Sequence, residues 1–102
     1  MKIRLSDRAL AYLKREQGYL AKFDKRVALA VVRQIRAATK LIGEYPQIGP
    51  VIDGAKGVRR YISAPYQIDY QEDDVGIMVV AIRHGRQAPR EVEAEYPQFK
   101  LD

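Results

Sequence analysis

The chain has 102 residues, enough for one domain with a modest core, and its 47% apolar and 30% charged content excludes a disordered polymer. Zero cysteines exclude a disulfide framework and a thiolate metal site, and a single histidine leaves little for metal binding, so no cofactor is expected. The net charge of +5 is unevenly held: residues 1–60 carry 14 Lys and Arg against 5 Asp and Glu, whereas residues 61–102 carry 4 against 8. Such polarity suggests a basic surface that meets something acidic, although composition alone slightly favours the plainer reading of a solvated helical face. No run approaches the ~20 apolar residues of a membrane span. The opening MKIRLSDRAL has no apolar signal-peptide core, so a cytoplasmic location with no membrane partner is the expectation.

In chain order, Lys2-Ile3-Arg4-Leu5 alternates polar and apolar and reads as a short strand. Ser6-Asp7 supplies a helix N-cap and an acidic first turn, and Leu10, Leu13, Gln17 and Leu20 follow at helical spacing. Phe23-Asp24 marks a break and a second cap. From there Ala28, Val31, Val32, Ile35, Ala38 and Ile42 form an apolar stripe that Gly43 is placed to stop. The opposite face carries Arg26, Arg33, Arg36 and Lys40, so the two helices make a hairpin with its apolar side inward.

Residues 44–57, EYPQIGPVIDGAKG, hold two prolines and three glycines and read as a loop. The period then becomes two: Val58, Arg60 and Ile62 face one way, Arg59, Tyr61 and Ser63 the other. Ala64-Pro65 turns the chain into Tyr66, Ile68 and Tyr70, an apolar face, alternating with Gln67, Asp69 and Gln71 on a wet face. After the turn Glu72-Asp73-Asp74, residues Val75 to Ile82 are apolar on both faces. The expected fold is therefore α+β in two layers, a short N-terminal strand and a helical hairpin packed on a small, mainly antiparallel sheet. One domain spans 1–102, with a polar, acidic tail from about 89 to 102, PREVEAEYPQFKLD, anchored only by Tyr96 and Phe99. The apolar run VGIMVV leads straight into AIRHGRQAP, where two arginines and the only histidine fit an active site, a nucleic-acid contact or a docking surface.

Taken together, EYPQIGP and GVRRYISAPYQIDYQEDDVGIMVVAIRHGRQAP resemble the RelE/ParE superfamily of toxins from type II toxin–antitoxin systems. Gly57-x-Arg59, the strand Tyr66-x-Ile68-x-Tyr70, the acidic turn and a final strand running into His84 and Arg86 follow in the family's order. The resemblance implies the fold just described, growth inhibition, and neutralisation by a cognate antitoxin that is partly disordered and folds on binding. It also implies one of two targets: DNA gyrase, inhibited by protein binding in ParE-like members, or messenger RNA on the ribosome, cut by RelE-like members.

Metal-free RNA cleavage needs a group to take the 2′-hydroxyl proton, cations for the phosphate and an acid for the leaving oxygen. His84 with Arg83, Arg86, Arg59 and Tyr96 are the residues that such a nuclease would use. RelE-like nucleases often carry an arginine after the first strand tyrosine, where this chain has Gln67 beside Asp69 and Gln71; Glu91, Glu93 and Glu95 follow where they are basic. The His-Gly-Arg-Gln-x-Pro ending instead resembles ParE-like members. The reading is therefore a ParE-like gyrase inhibitor with no catalytic residue, whose partner-binding residues are Arg26, Arg33, Arg36, Lys40, Arg83 and Arg86. The alternatives are a RelE-like endoribonuclease and, third, a basic nucleic-acid-binding domain without toxicity.

Overall fold

A computed structural model describes residues 1–52, 54 and 56–85; the readings placed on Arg86, Tyr96 and the tail lie outside the described residues. The elements are β1 (Lys2–Leu5), α1 (Asp7–Ala21), α2 (Lys25–Glu44), β2 (Arg59–Ser63), β3 (Tyr66–Glu72) and β4 (Gly76–His84). They form a four-stranded sheet in the order β1-β4-β3-β2, with β2, β3 and β4 antiparallel in succession and β1 parallel to β4. The α+β expectation holds, and the N-terminal strand supplies the sheet's one parallel pair.

Caps set both helices. The Ser6 hydroxyl accepts from Ala9 N–H at 3.0 Å and donates to Val80 O at 3.0 Å, so the start of α1 is tied directly to the central strand. Asp24 accepts from Arg26 N–H at 2.8 Å and opens α2. Gly43 does not stop α2, which runs on to Glu44 with Tyr45 as its C-cap. The glycine serves packing instead: a Cβ there would stand 3.1 Å from the Ile3 side chain and 3.2 Å from Met1 O.

The main core lies between hairpin and sheet. Val31, Ile35, Ala38 and Ile42 of α2 and Ala9 of α1 meet Tyr66, Ile68, Tyr70, Ile77, Val79 and Ile82, with Ile3, Leu5 and Tyr61 at the margins. The other sheet face is also covered, by a small cluster of Val58 and Ala81 with Ile52 and Val80 against them. The proline–glycine loop thus acts as a partial second cover. It wraps the outer edge of β2 through a bridge between Val51 and Arg59 and a hydrogen bond from Arg60 N–H to Pro50 O at 3.0 Å. The outer edge of β2 is therefore covered at Arg59–Arg60, whereas Ile62 in the same strand is 54% exposed.

The turn before β4 is fixed by Asp73. Its carboxylate accepts from Arg4 at 2.6 Å on both oxygens and from the backbone N–H groups of Val75 and Gly76 at 2.9 and 3.0 Å. The Arg4 guanidinium, chiefly, holds Asp73 down at about 2. An unfolded aspartate titrates near ~3.9, so this stabilisation is complete above that value and is lost as pH falls towards the folded one. Urea unfolding across pH 2–6 should show Asp73→Asn less stable than wild type at pH 6, and losing less stability between pH 4 and 2.

Candidate functional site

The basic side chains of α2 stand on its outer surface. Arg26, Arg33, Arg36 and Lys40 are all exposed, and Leu29, 47% exposed, sits within the same stripe at i+3 from Arg26 and i−4 from Arg33. Arg26 leans on Asp24 at 3.4 Å. The side chains of Arg33, Arg36 and Lys40 make no hydrogen bond or ion pair among the described residues. They form a fixed row of cations on a helix whose other side is held in the core.

At the opposite layer, β4 is longer than the sequence indicated and ends at His84, which places Arg83 and His84 inside the strand. Consecutive strand residues point to opposite faces. His84 stands across from Tyr66 on the helix side, with the two rings 5.4 Å apart and steeply inclined at 78°. Arg83 is buried on the other face, across from Gln67.

Tyr66 is buried, yet its hydroxyl donates to Glu16 Oε2 at 2.7 Å. Burial, first, and the neighbouring Glu16 carboxylate push this phenol far above its ordinary range, so it stays protonated as a donor. Tyr12 is also raised, by burial and by Glu16, and it takes a backbone hydrogen bond from His84. This Tyr12–Glu16–Tyr66–His84 group ties α1 to the end of the sheet.

The three described nuclease candidates, His84, Arg83 and Arg59, do not converge. His84 and Arg83 face opposite sides of β4. Arg59 lies on the helix side opposite Tyr70, four positions along β3 from the Tyr66–His84 pair, which is roughly 13 Å at strand rise. Its guanidinium donates to Gly49 O at 2.9 Å, closing the loop over β2. Among the described residues there is also no group of three His, Cys, Asp or Glu side chains placed to hold a metal.

Asp69 requires a correction. It is not on a wet face: it is 1% exposed and takes a two-point contact from Arg60, at 2.7 and 3.0 Å, across the β2–β3 ladder. Its charge is thereby compensated, so repulsion of a phosphate by a bare carboxylate does not arise. The signal was present in the sequence. A two-residue turn at Ala64-Pro65 pairs Ser63 with Tyr66, and counting outward sets Arg60 opposite Asp69. Glu16 had no comparable signal, because its partner comes from the next layer.

Elsewhere on the surface, a cavity of about 460 Å³ opens beside the end of α2, lined by Glu44, Tyr45, Pro46, Gln47, Ile48 and Glu72. It holds none of the sequence-selected residues. Among the described residues, no helix is long and apolar enough to cross a membrane.

Residues 3–89 match the family model described as the ParE toxin of the type II toxin–antitoxin system parDE. Among solved structures, a chain of the chromosomal ParDE toxin–antitoxin system from P. aeruginosa is similar, with a TM-score of 0.69 at 19% identity. The match covers 82% of this chain and 95% of that one, and at such low identity it speaks for the fold. No curated protein matches the chain.

The role assigned to Asp69 is testable by stability. Removing one partner of a buried ion pair leaves the other charge uncompensated, so Asp69→Ala should cost roughly 3 kcal/mol. Gln67→Ala and Gln71→Ala, on the same strand face, should stay within about 0.5 kcal/mol. Urea denaturation of the three variants at pH 7 measures the contrast.

Proposed function

Because the chain belongs to the ParE toxin family of type II toxin–antitoxin systems, we propose that it inhibits DNA gyrase by binding, without catalysis, and is neutralised by a cognate antitoxin. The observation that carries the non-catalytic reading is the dispersal of His84, Arg83 and Arg59. A general acid–base reaction needs its groups within hydrogen-bond reach of one substrate. These three lie on two faces and at two ends of the sheet, and Arg59 is engaged with Gly49 O. Tyr66, which a nuclease would recruit for stacking or proton transfer, is buried and bonded to Glu16.

The decisive experiment sets purified protein against gyrase supercoiling and, in parallel, against messenger RNA on translating ribosomes. Supercoiling should be inhibited, no ribosome-dependent cuts should appear, and expression without the partner should arrest growth. Cuts made by the wild type and lost in His84→Ala or Arg86→Ala would overturn the reading in favour of the endoribonuclease.

For the antitoxin, the α2 row of cations supports an acidic partner segment, disordered when free, that folds as it wraps. Charge steering then governs encounter, while apolar anchors govern escape. Association with the antitoxin should slow as salt rises, and the pair Arg33→Glu with Arg36→Glu should slow it at low salt while leaving the thermal midpoint nearly unchanged. Stopped-flow association and a melting curve read the two effects. Indifference of association to both salt and charge reversal would make the row a solvated face only.

A further inference from the structure

The helix hairpin is tied to the end of the sheet at two places. On α1 the tie is Glu16 with Tyr66; on α2 it is Gln34, whose amide donates to Ser63 O at 3.0 Å and Ala64 O at 2.8 Å. Residues 17–33, between those ties, form the hairpin's far end, with Ala28 and Val31 buried inside it. Its outside is unexpectedly apolar. Phe23 is 74% exposed, Tyr19 58% and Val27 46%, and the Tyr19 and Phe23 rings meet edge to face at 5.2 Å and 65°. Exposed Lys14, Arg15, Lys22, Lys25 and Arg26 flank them along the chain. Of the two carboxylates in this region, Glu16 is bonded to Tyr66 and Asp24 caps α2, so the local field is positive.

We propose that this aromatic tip is the docking point for an apolar side chain of the antitoxin, carried on the acidic segment that runs along α2; the inference rests on the antitoxin reading above and deepens it. An exposed aromatic pair flanked by like charges along the chain has the form of an interaction hot spot. The flanking charge selects the occupant. A second copy would bring five cations against five. A nucleic-acid base needs a flat platform, and the inclined ring pair offers an edge and a notch instead. An acidic protein segment with an apolar side chain satisfies both the flanking charge and the notch. The path is continuous, because Lys40, Arg36, Arg33, Leu29 and Arg26 lead to Phe23 along one side of α2. From residue 40 to 26 the helix rises about 21 Å, a distance that an extended segment of about six or seven residues covers.

The test compares purified toxin, Phe23→Ser, Tyr19→Ser and the Arg33→Glu/Arg36→Glu pair for binding to the purified cognate antitoxin. Phe23→Ser should raise Kd roughly 10- to 100-fold, mainly through faster dissociation, while its thermal midpoint stays close to that of wild type. The charge pair should act mainly on association. If the charge pair slows association but Phe23→Ser and Tyr19→Ser leave Kd within about twofold, the tip proposal fails and the antitoxin reading stands. Three further results would also overturn the proposal, each naming another occupant. They are loss of gyrase binding in Phe23→Ser with antitoxin binding intact, a concentration-dependent dimer that Phe23→Ser dissolves, and Phe23-dependent binding to phosphatidylserine vesicles.

Discussion

Val80 is an extra residue in β4. Asp69 pairs with Ala81 and Tyr70 with Val79, so Val80 has no partner across the ladder, and the pleat changes phase at that point. Ile77 and Val79 before the bulge, and Ile82 and His84 after it, consequently all face the helices. Ala81 and Arg83 turn to the other side. The carbonyl of Val80 is taken up by the Ser6 hydroxyl, the same group that caps α1. One irregular residue therefore sets which side chains of the central strand enter the main core, and anchors the first helix against it. A regular β4 would have sent Ile82 away from the hairpin and brought Arg83 towards the apolar side of α1.

That phase change explains what was legible in the sequence and what was not. The helices were legible because Ser6 and Asp24 are strong caps and the α2 stripe, Ala28 to Ile42, keeps its period over about four turns. The β2–β3 hairpin was legible because Ala64-Pro65 punctuates a clear alternation. β4 was not, since a run apolar on both faces carries no parity signal, and a bulge inside it cannot be seen. His84 therefore reads in sequence as part of a cluster beyond the strand, when it is the strand's last residue. The second cover also escaped notice, because Ile52 and Val58 flank a loop whose composition signals only turns.

Tyr70 shows how that cover is held. Its ring is in the main core, while its hydroxyl donates to Pro46 O at 2.7 Å and accepts from Gly49 N–H at 3.0 Å. Gly49 then lies so close to β2 that a Cβ would fall 2.6 Å from Arg60 O, and only glycine fits there without a shift. Arg59 closes the same loop from the side through Gly49 O. The paired arginines of the Gly-x-Arg-Arg segment thus have separate structural tasks, Arg59 on the loop and Arg60 on buried Asp69. Cations that sequence alone would offer to a phosphate are committed to the fold.

Among the described residues, the α2 cations Arg33, Arg36 and Lys40 have no such structural task, and their setting favours recognition over chemistry. A reacting phosphate needs charges converging on one point from several elements, whereas Arg33, Arg36 and Lys40 lie in a line on one rigid surface. Their backbone is already ordered by the core behind it, so binding costs this protein only side-chain freedom. For the proposed antitoxin segment, the ordering cost would fall on the partner, which would gain a long contact in return for folding. A line of charges also tolerates small shifts of register, because each carboxylate finds a cation within a turn of the helix. Register must then come from apolar contacts, which are local and shape-dependent. On this face those are Leu29 within the row and the Tyr19–Phe23 pair at its end, so in the proposed complex charge would bring the segment in and the aromatic tip would decide where it stops.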